Sequence, residues 1–347
     1  WLTETAFKFK APLTAWRGFA EALYPEWYAV GKTLAPPAAP DIVLKPVYDD
    51  ESTRVAERAG AQPVRAATVG DVEPVHVAGN VYLIAGAGGN VAASIGDDGV
   101  IMVDTGAAAG TEKVLAAIRQ AATRLRPPDT PESASPFNST WQATHAVAAP
   151  KIRMIINTND NPDHVQGNAA IRRSPMFGAL GEGPAYQLGT SSGSSQQNLA
   201  HINVQQRMLE ADAANAPTDT YFTDRYTLYR FFNGQAVQMF HMPNAITDGD
   251  SAVWFRRSDV IVTGDIYNSD IYPPIDVSRG GSIDGEIAAL NAVLDMSVTE
   301  YMSQGGTMIV PGHGWVSDSG DVGYYRDMLM IVRDRIQNMI DRGMSLQ

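Results

Sequence analysis

Apolar positions along the chain follow two rhythms, and the change between them falls near Val72. Ahead of it, "ETAFKFKAPLTAWRGFAEALYPEWYAVGKTL" (residues 4–34) spaces its apolar residues at helical intervals, and Pro-rich "LAPPAAPDIVLKPVYDD" (34–50) breaks them. This predicts an N-terminal extension, residues 1–71, with one or two short amphipathic helices packing on the core. From Val72 the apolar runs shorten to strand length between Gly, Asn and Asp: "PVHVAGNVYLIAG" (74–86), "NVAASIGDDG" (90–99), "VIMVDTG" (100–106). They predict a hairpin-rich sheet. A helix is expected at about 110–125, then a strand in "KIRMIINT" (151–158), with later strands in "AVQMFHMP" (236–243), "SAVWFRRSDVIVTGD" (251–265) and "GGTMIVPGHG" (305–314). "IDGEIAALNAVLDMSV" (283–298) and "YYRDMLMIVRDRIQNMIDRGM" (324–344) read as amphipathic helices. Two stretches fit neither rhythm: Pro/Ser/Thr-rich residues 127–150, and 172–220, Gly/Ser/Gln-rich and then Ala-rich. Both read as insertions in a domain spanning 72–347, the second as a lid over a cleft mouth.

Charge and composition narrow the function classes. A net charge of −12 repels phosphate backbones, so no nucleic-acid partner is expected. No apolar run reaches the roughly 18 to 20 residues of a spanning helix, so no membrane insertion is expected either. The chain has no cysteine, which excludes thiolate catalysis and Cys-ligated zinc and leaves His, Asp and Glu as metal ligands. It begins at Trp1 rather than Met, and both an exported or periplasmic and a cytoplasmic location stay open. A small-molecule substrate is the expected partner, with homo-oligomerisation left open.

Candidate chemistry gathers at strand ends. "AGAGGN" (85–90) lacks the last glycine and the following helix of a dinucleotide fingerprint, so it reads as a tight turn between strands. Asp163 and His164 follow "IINTNDNP", His241 follows "VQMF", Asp265 follows "VIVTG", and His313 sits in "VPGHG". A single such histidine is more often structural, but two histidines and two carboxylates at successive strand ends make a plausible metal site. Asp160, Asp248 and Asp250 read as turn residues.

The motif order resembles that of the metallo-β-lactamase superfamily. "GNVAASIGDDGVIMVDTG" is similar to its opening hairpins, "TNDNPDHVQGN" to its T-H-x-H-x-D-H-x-x-G-N loop and "HMPNAITDGDS" to its His-Thr-x-Gly-Asp motif. "VTGD" and "VPGHG" are similar to the segments carrying its bridging aspartate and last histidine. The resemblance implies an αββα sandwich of two mixed sheets over residues 72–347, closer to the glyoxalase II, lactonase and sulfatase-like branches than to zinc β-lactamases. It also implies a first metal site at Asn159, Asn161 and Ile246, where the family has histidines and this chain has none. His241 is the residue that could still reach that vestigial first site. The second site matches completely, with Asp163, His164 and His313 as ligands and Asp265 as the carboxylate shared between sites. One zinc, or iron or manganese in its place, is therefore expected rather than two. Asp163 and Asp265 are the candidate catalytic carboxylates, and Asp104 is expected to orient the loop backbone or a ligand histidine. The implied activity is hydrolysis of an ester, thioester, lactone or similar small substrate. The alternative is a degenerate relative that keeps the cleft for binding and holds no metal.

Overall fold

The computed structural model describes residues 69–125, 150–178, 197–299 and 306–344. The expected N-terminal helices and the 127–149 part of the first insertion lie outside the described residues. One compact unit, Arg65–Arg326, holds both sheets. A second unit includes Asp327–Gln347.

The hairpins predicted from Val72 form as expected. Strands β1 (Glu73–Ala78), β2 (Val81–Ala85), β3 (Val91–Gly96) and β4 (Gly99–Val103) run antiparallel in sequence order. Helix α1 (Thr111–Leu125) then returns the chain so that β5 (Ile152–Ile156) lies parallel to β4. Parallel strands β6 (Gln197–His201) and β7 (Asp219–Tyr221) complete a seven-stranded mixed sheet. The second sheet has five strands among the described residues: β8 (Arg225–Thr227), β9 (Val237–His241), β10 (Ser251–Phe255) and β11 (Val260–Gly264) are antiparallel, and β12 (Met308–Pro311) pairs parallel to β11.

Alternation along the strands divides the first sheet between two cores. Val81, Leu83, Ile101 and Val103 point one way and cluster with Val237, Met239, Val253, Phe255 and Val262 of the second sheet. Tyr82, Ile84, Val100 and Met102 point the other way and meet Val114, Leu115, Ile118 and Ala121 of α1, a helical stripe. Both faces are therefore dry, which is why these strands read as continuous apolar runs. At about 1.5–3 kcal/mol per fully buried aliphatic side chain, the two layers fix the register that delivers the strand ends to one edge.

Three short or medium helices complete the frame around that edge: α2 (Pro162–Val165), α3 (Asn168–Arg173) and α4 (Ile202–Ala211). After β11 come α5 (Ile283–Met296), capped by the Ser282 hydroxyl on the Gly285 N–H, and α6 (Ser319–Asp341). The expected insertion at 172–220 needs correction. Residues 179–196 lie outside the described residues, but Gln197–Tyr221 supplies an interior strand, a helix and the edge strand of the first sheet. Its polar composition hid a short strand whose polar Asn198 and His201 are buried along with Leu199 and Ala200.

Candidate metal centre

Four strand ends build the site. After β4 the chain turns at Asp104, held at φ 62°; after β5 it enters Asn157–Asn161, where Pro162 opens α2. Pro is suited to that first helical position, and the single turn that follows aims Asp163 and His164 inward. β11 ends at Gly264, held at φ 53° with Thr158 Oγ1 2.4 Å from where a Cβ would stand, and Asp265 follows. β12 delivers His313.

The expected second-site residues converge. Asp163, His164 and His313 offer ligand atoms that all lie within 4.8 Å of one another. His313 Nε2 is 3.1 Å from Asp163 Oδ2 and 3.5 Å from Asp265 Oδ1, and His164 Nε2 is 3.3 Å from that same Asp265 oxygen. Asp265 falls outside the mutual 4.8 Å set yet touches both imidazoles, so it closes the group from the far side. Metal bonds of about 2.0–2.1 Å at tetrahedral angles would place ligand atoms about 3.3–3.4 Å apart, close to these spacings. His164 Nε2 and Asp265 Oδ1 are buried with no hydrogen-bond partner among the described residues, although both face the centre of the group. The donor set fits a zinc-sized cation.

Asp104 stands where a ligand histidine needs it. Its Oδ2 accepts from His164 Nδ1 at 2.9 Å and from Thr158 Oγ1 at 2.6 Å, while Oδ1 accepts the Thr158 backbone N–H at 2.8 Å. That carboxylate turns the Nε2 edge of His164 toward the cluster. Burial works against charge on His164, but Asp265 and Asp104 outweigh it and hold the imidazole well above its usual pKa. Burial likewise raises Asp163, and the His313 hydrogen bond together with His164 brings it back below its usual value. Without metal the cluster is thus an ion-paired group whose protons a cation would displace.

The first-site positions carry something else. Asn159 and Asn161 each donate Nδ2 to Asp265 Oδ2, at 3.3 and 2.5 Å. Asn161 Oδ1 accepts from Arg279 Nη2 at 2.8 Å. Asp160, expected to be a turn residue, instead takes the two-nitrogen fork of Arg207 at 2.8 and 2.9 Å and lies 3.3 Å from Arg279. Asp248, also expected as a turn residue, pairs with Arg207 as well. His241 does not join this group: it stacks on His201 with ring centroids 3.7 Å apart, and its Nε2 bonds the Asp248 carbonyl. Ile246 is a fully buried core residue whose carbonyl accepts from Asp276.

Four groups were missed by motif reading. Arg207 and Arg279 lie outside the motifs, on α4 and at the end of the short 3-10 turn Val277–Arg279 before α5. The "AGAGGN" turn is more than a turn: Gly89 packs so tightly that a Cβ would stand 2.9 Å from His164 Nε2 and 2.8 Å from the Asp163 carbonyl. Its neighbour Asn90 clamps the His313 loop by donating to the Pro311 and Gly314 carbonyls. Behind Asp265, Glu286 is fully buried with both oxygens unpartnered among the described residues, and burial holds its carboxyl well above the usual range. Burial also pushes Asp250 up to about 7.

Comparison with known proteins places this arrangement. The DIM-1 metallo-beta-lactamase is similar at 14% identity over 76% of this chain and 99% of its own, with a TM-score of 0.50. TMB-1 is similar at 13% identity over 76% of this chain and 100% of its own, also at 0.50. A metallo-beta-lactamase from Pontibacter korlensis is 13% identical over 75% of this chain and 99% of its own, at 0.49. At these identities the likenesses to DIM-1 and TMB-1 show a shared fold and nothing finer. No curated protein matches the chain. The sequence model of the metallo-beta-lactamase superfamily matches residues 75–313, more than half of the chain, a span that includes Asp163, His164, Asp265 and His313. This chain belongs to the metallo-β-lactamase superfamily.

Proposed function

We propose that the protein is a mononuclear metallohydrolase whose single cation is held by Asp163, His164, His313 and Asp265. The observation that carries this is the buried pair of atoms His164 Nε2 and Asp265 Oδ1, which have no hydrogen-bond partner among the described residues and lie beside Asp163 and His313 at ligand spacing. Zinc suits two imidazoles with carboxylates, and iron or manganese would fit the same donors. When bound, the cation supplies Lewis-acid polarisation of a carbonyl and a water acidic enough to attack near neutral pH.

The residues divide the remaining work. Asp265 has its Oδ2 taken by two amides and its side chain only 2% exposed, so it serves as a fixed ligand. Asp163, 12% exposed and bonded to His313, is the carboxylate positioned to hold a proton taken from water and to return it to a leaving group. Asp104 keeps His164 in the ligating orientation. Candidate substrates are esters, thioesters and lactones, the chemistry of the glyoxalase II, lactonase and sulfatase-like branches that the Gly-Asp motif resembles. No helix among the described residues is long and apolar enough to cross a membrane. A small molecule is the partner we propose.

Metal analysis of protein purified without added metal, beside an aryl ester, a thioester and a lactone, tests the reading. One ion per chain and turnover that a chelator abolishes and zinc restores are expected, with Asp163→Ala losing both. Two ions per chain would overturn the mononuclear assignment. No ion, with Asp163→Ala indistinguishable from the parent, would favour the binding-protein alternative.

A further inference from the structure

Where the family places first-site histidines this chain has two amides, and an asparagine side chain can present either oxygen or nitrogen to a neighbour. Asp265 can only accept, so both amides must turn their nitrogens toward it. We infer that Arg279 is a positioning residue for the metal centre: it sets the orientation of the Asn161 amide and, through it, the Asp265 carboxylate. This rests on the ligand assignment above.

The two amides are held by different devices. Asn159 Oδ1 accepts the backbone N–H of Asn161 at 2.9 Å, so the loop itself fixes that side chain. Asn161 has no such local lock, and its Oδ1 accepts from Arg279 Nη2 at 2.8 Å. A guanidinium has donors only, so it accepts no orientation of Asn161 except the one that presents Nδ2 to Asp265 Oδ2. A flipped Asn161 would set its carbonyl against a buried carboxylate and its amide hydrogens against a cation. With the amide fixed, Asp265 Oδ2 receives two N–H donors and Oδ1 is turned to His164 and His313.

Arg279 is itself stationed rather than loose. Asp276 Oδ2 accepts from its Nε at 2.8 Å, Asp160 lies 3.3 Å from its Nη1, and its backbone carbonyl accepts from the Asp248 N–H. Charge balance also decides what this network is for. Two guanidiniums, Arg207 and Arg279, face three carboxylates, Asp160, Asp248 and Asp276, so the cluster has no surplus positive charge to bind an anionic substrate. Its product is orientation of Asp265.

The test is a double-mutant cycle read by zinc affinity, from chelator competition, and by the visible spectrum of the cobalt-loaded protein. Arg279→Met should weaken zinc binding about tenfold, the lower end of what losing a group that orients a metal ligand costs. Asn161→Ala should weaken it comparably. In the Asn161→Ala background Arg279→Met should add little, because the residue it acts through is gone. The cobalt spectrum should shift in the single variants, reporting a moved Asp265. Additive losses would mean that Arg279 only braces the loop, and would overturn the inference, as would Arg279→Met binding zinc within about twofold of the parent. If Arg279→Met does not fold, Arg279→Lys carries the same cycle: it keeps the charge without the fork, so a partial loss that vanishes beside Asn161→Ala is expected, and an additive one overturns. A parent that takes up no metal would overturn the ligand assignment itself. A parent with one zinc and an unaffected Arg279→Met would overturn this inference alone.

Discussion

Replacing Asp104 with Asn separates the role of its charge from that of its shape. The side chain is 1% exposed and accepts three hydrogen bonds, so the nearly isosteric amide leaves no cavity. Two of the three bonds can be remade: an amide oxygen at the Oδ1 position still accepts the Thr158 N–H, and an amide nitrogen at the Oδ2 position can donate to Thr158 Oγ1. The third cannot. His164 Nδ1–H would face an N–H donor, so the imidazole, which the two carboxylates keep protonated in the metal-free protein, must give up its Nδ1 proton and keep the one on Nε2, the atom turned toward the cluster. Losing a charged acceptor costs about 1.5–3 kcal/mol of stability. The metal must then bind against the wrong tautomer, and a weakening of about 10–100-fold is expected, which corresponds to about 1.4–2.8 kcal/mol. Urea unfolding in the presence of chelator measures the first quantity and zinc competition the second. Nitrogen NMR of the metal-free protein should show His164 changing its protonation pattern. Zinc affinity within about twofold of the parent, with the His164 signals unchanged, would refute the claim that Asp104 sets the ligating edge.

Two further expectations come from packing and protonation. Gly89→Ala places a methyl 2.9 Å from His164 Nε2 and 2.8 Å from the Asp163 carbonyl, so it should reduce bound metal, measured by elemental analysis, while Gly70→Ala, with open space around it, should not. His201 is lowered from 6.5 to about 4, first by burial and then by the stacked His241. Between those values the unfolded chain takes up a proton that the folded chain refuses, so stability should fall as pH drops from about 6.5 toward 4. His201→Asn, whose side-chain oxygen can take over from Nδ1 as acceptor of the Asn203 N–H at the helix N-cap and which cannot titrate, should flatten that part of a plot of urea midpoint against pH.

The fold was legible where apolar runs and turn residues agreed. Each predicted strand from β1 to β5 and from β9 to β12 appears, because a dry two-sided sheet demands short, continuous apolar runs bounded by Gly and Asn. β6 was not legible. Its sequence, "QNLAH", carries two polar residues ahead of its apolar pair, and Asn198 is buried all the same. Parallel pairing between β5 and β7 holds that strand through backbone bonds, a tertiary cause that no local pattern records. Helix α4 went with it, and so did Arg207.

The site divides along a similar line. Asp163, His164, Asp265 and His313 could be read as one group because each follows a strand end, so their spacing from apolar runs is fixed. Asp104 was found for the same reason. Arg279 and Arg207 obey no such rule. In the proposed one-metal centre, with Asn at 159 and 161, no first-site dication would balance the Oδ2 side of Asp265, and a buried carboxylate oxygen with no partner is costly. Some set of donors must meet it. Amides can do so directly, but only if something fixes their orientation, and a guanidinium can do that from any element whose side chain reaches the loop. The sequence therefore shows that three histidines are missing, while the groups that compensate for them can lie on any neighbouring segment. Reading such a site requires asking which charge was removed and which long cationic side chains the fold brings within reach of the gap.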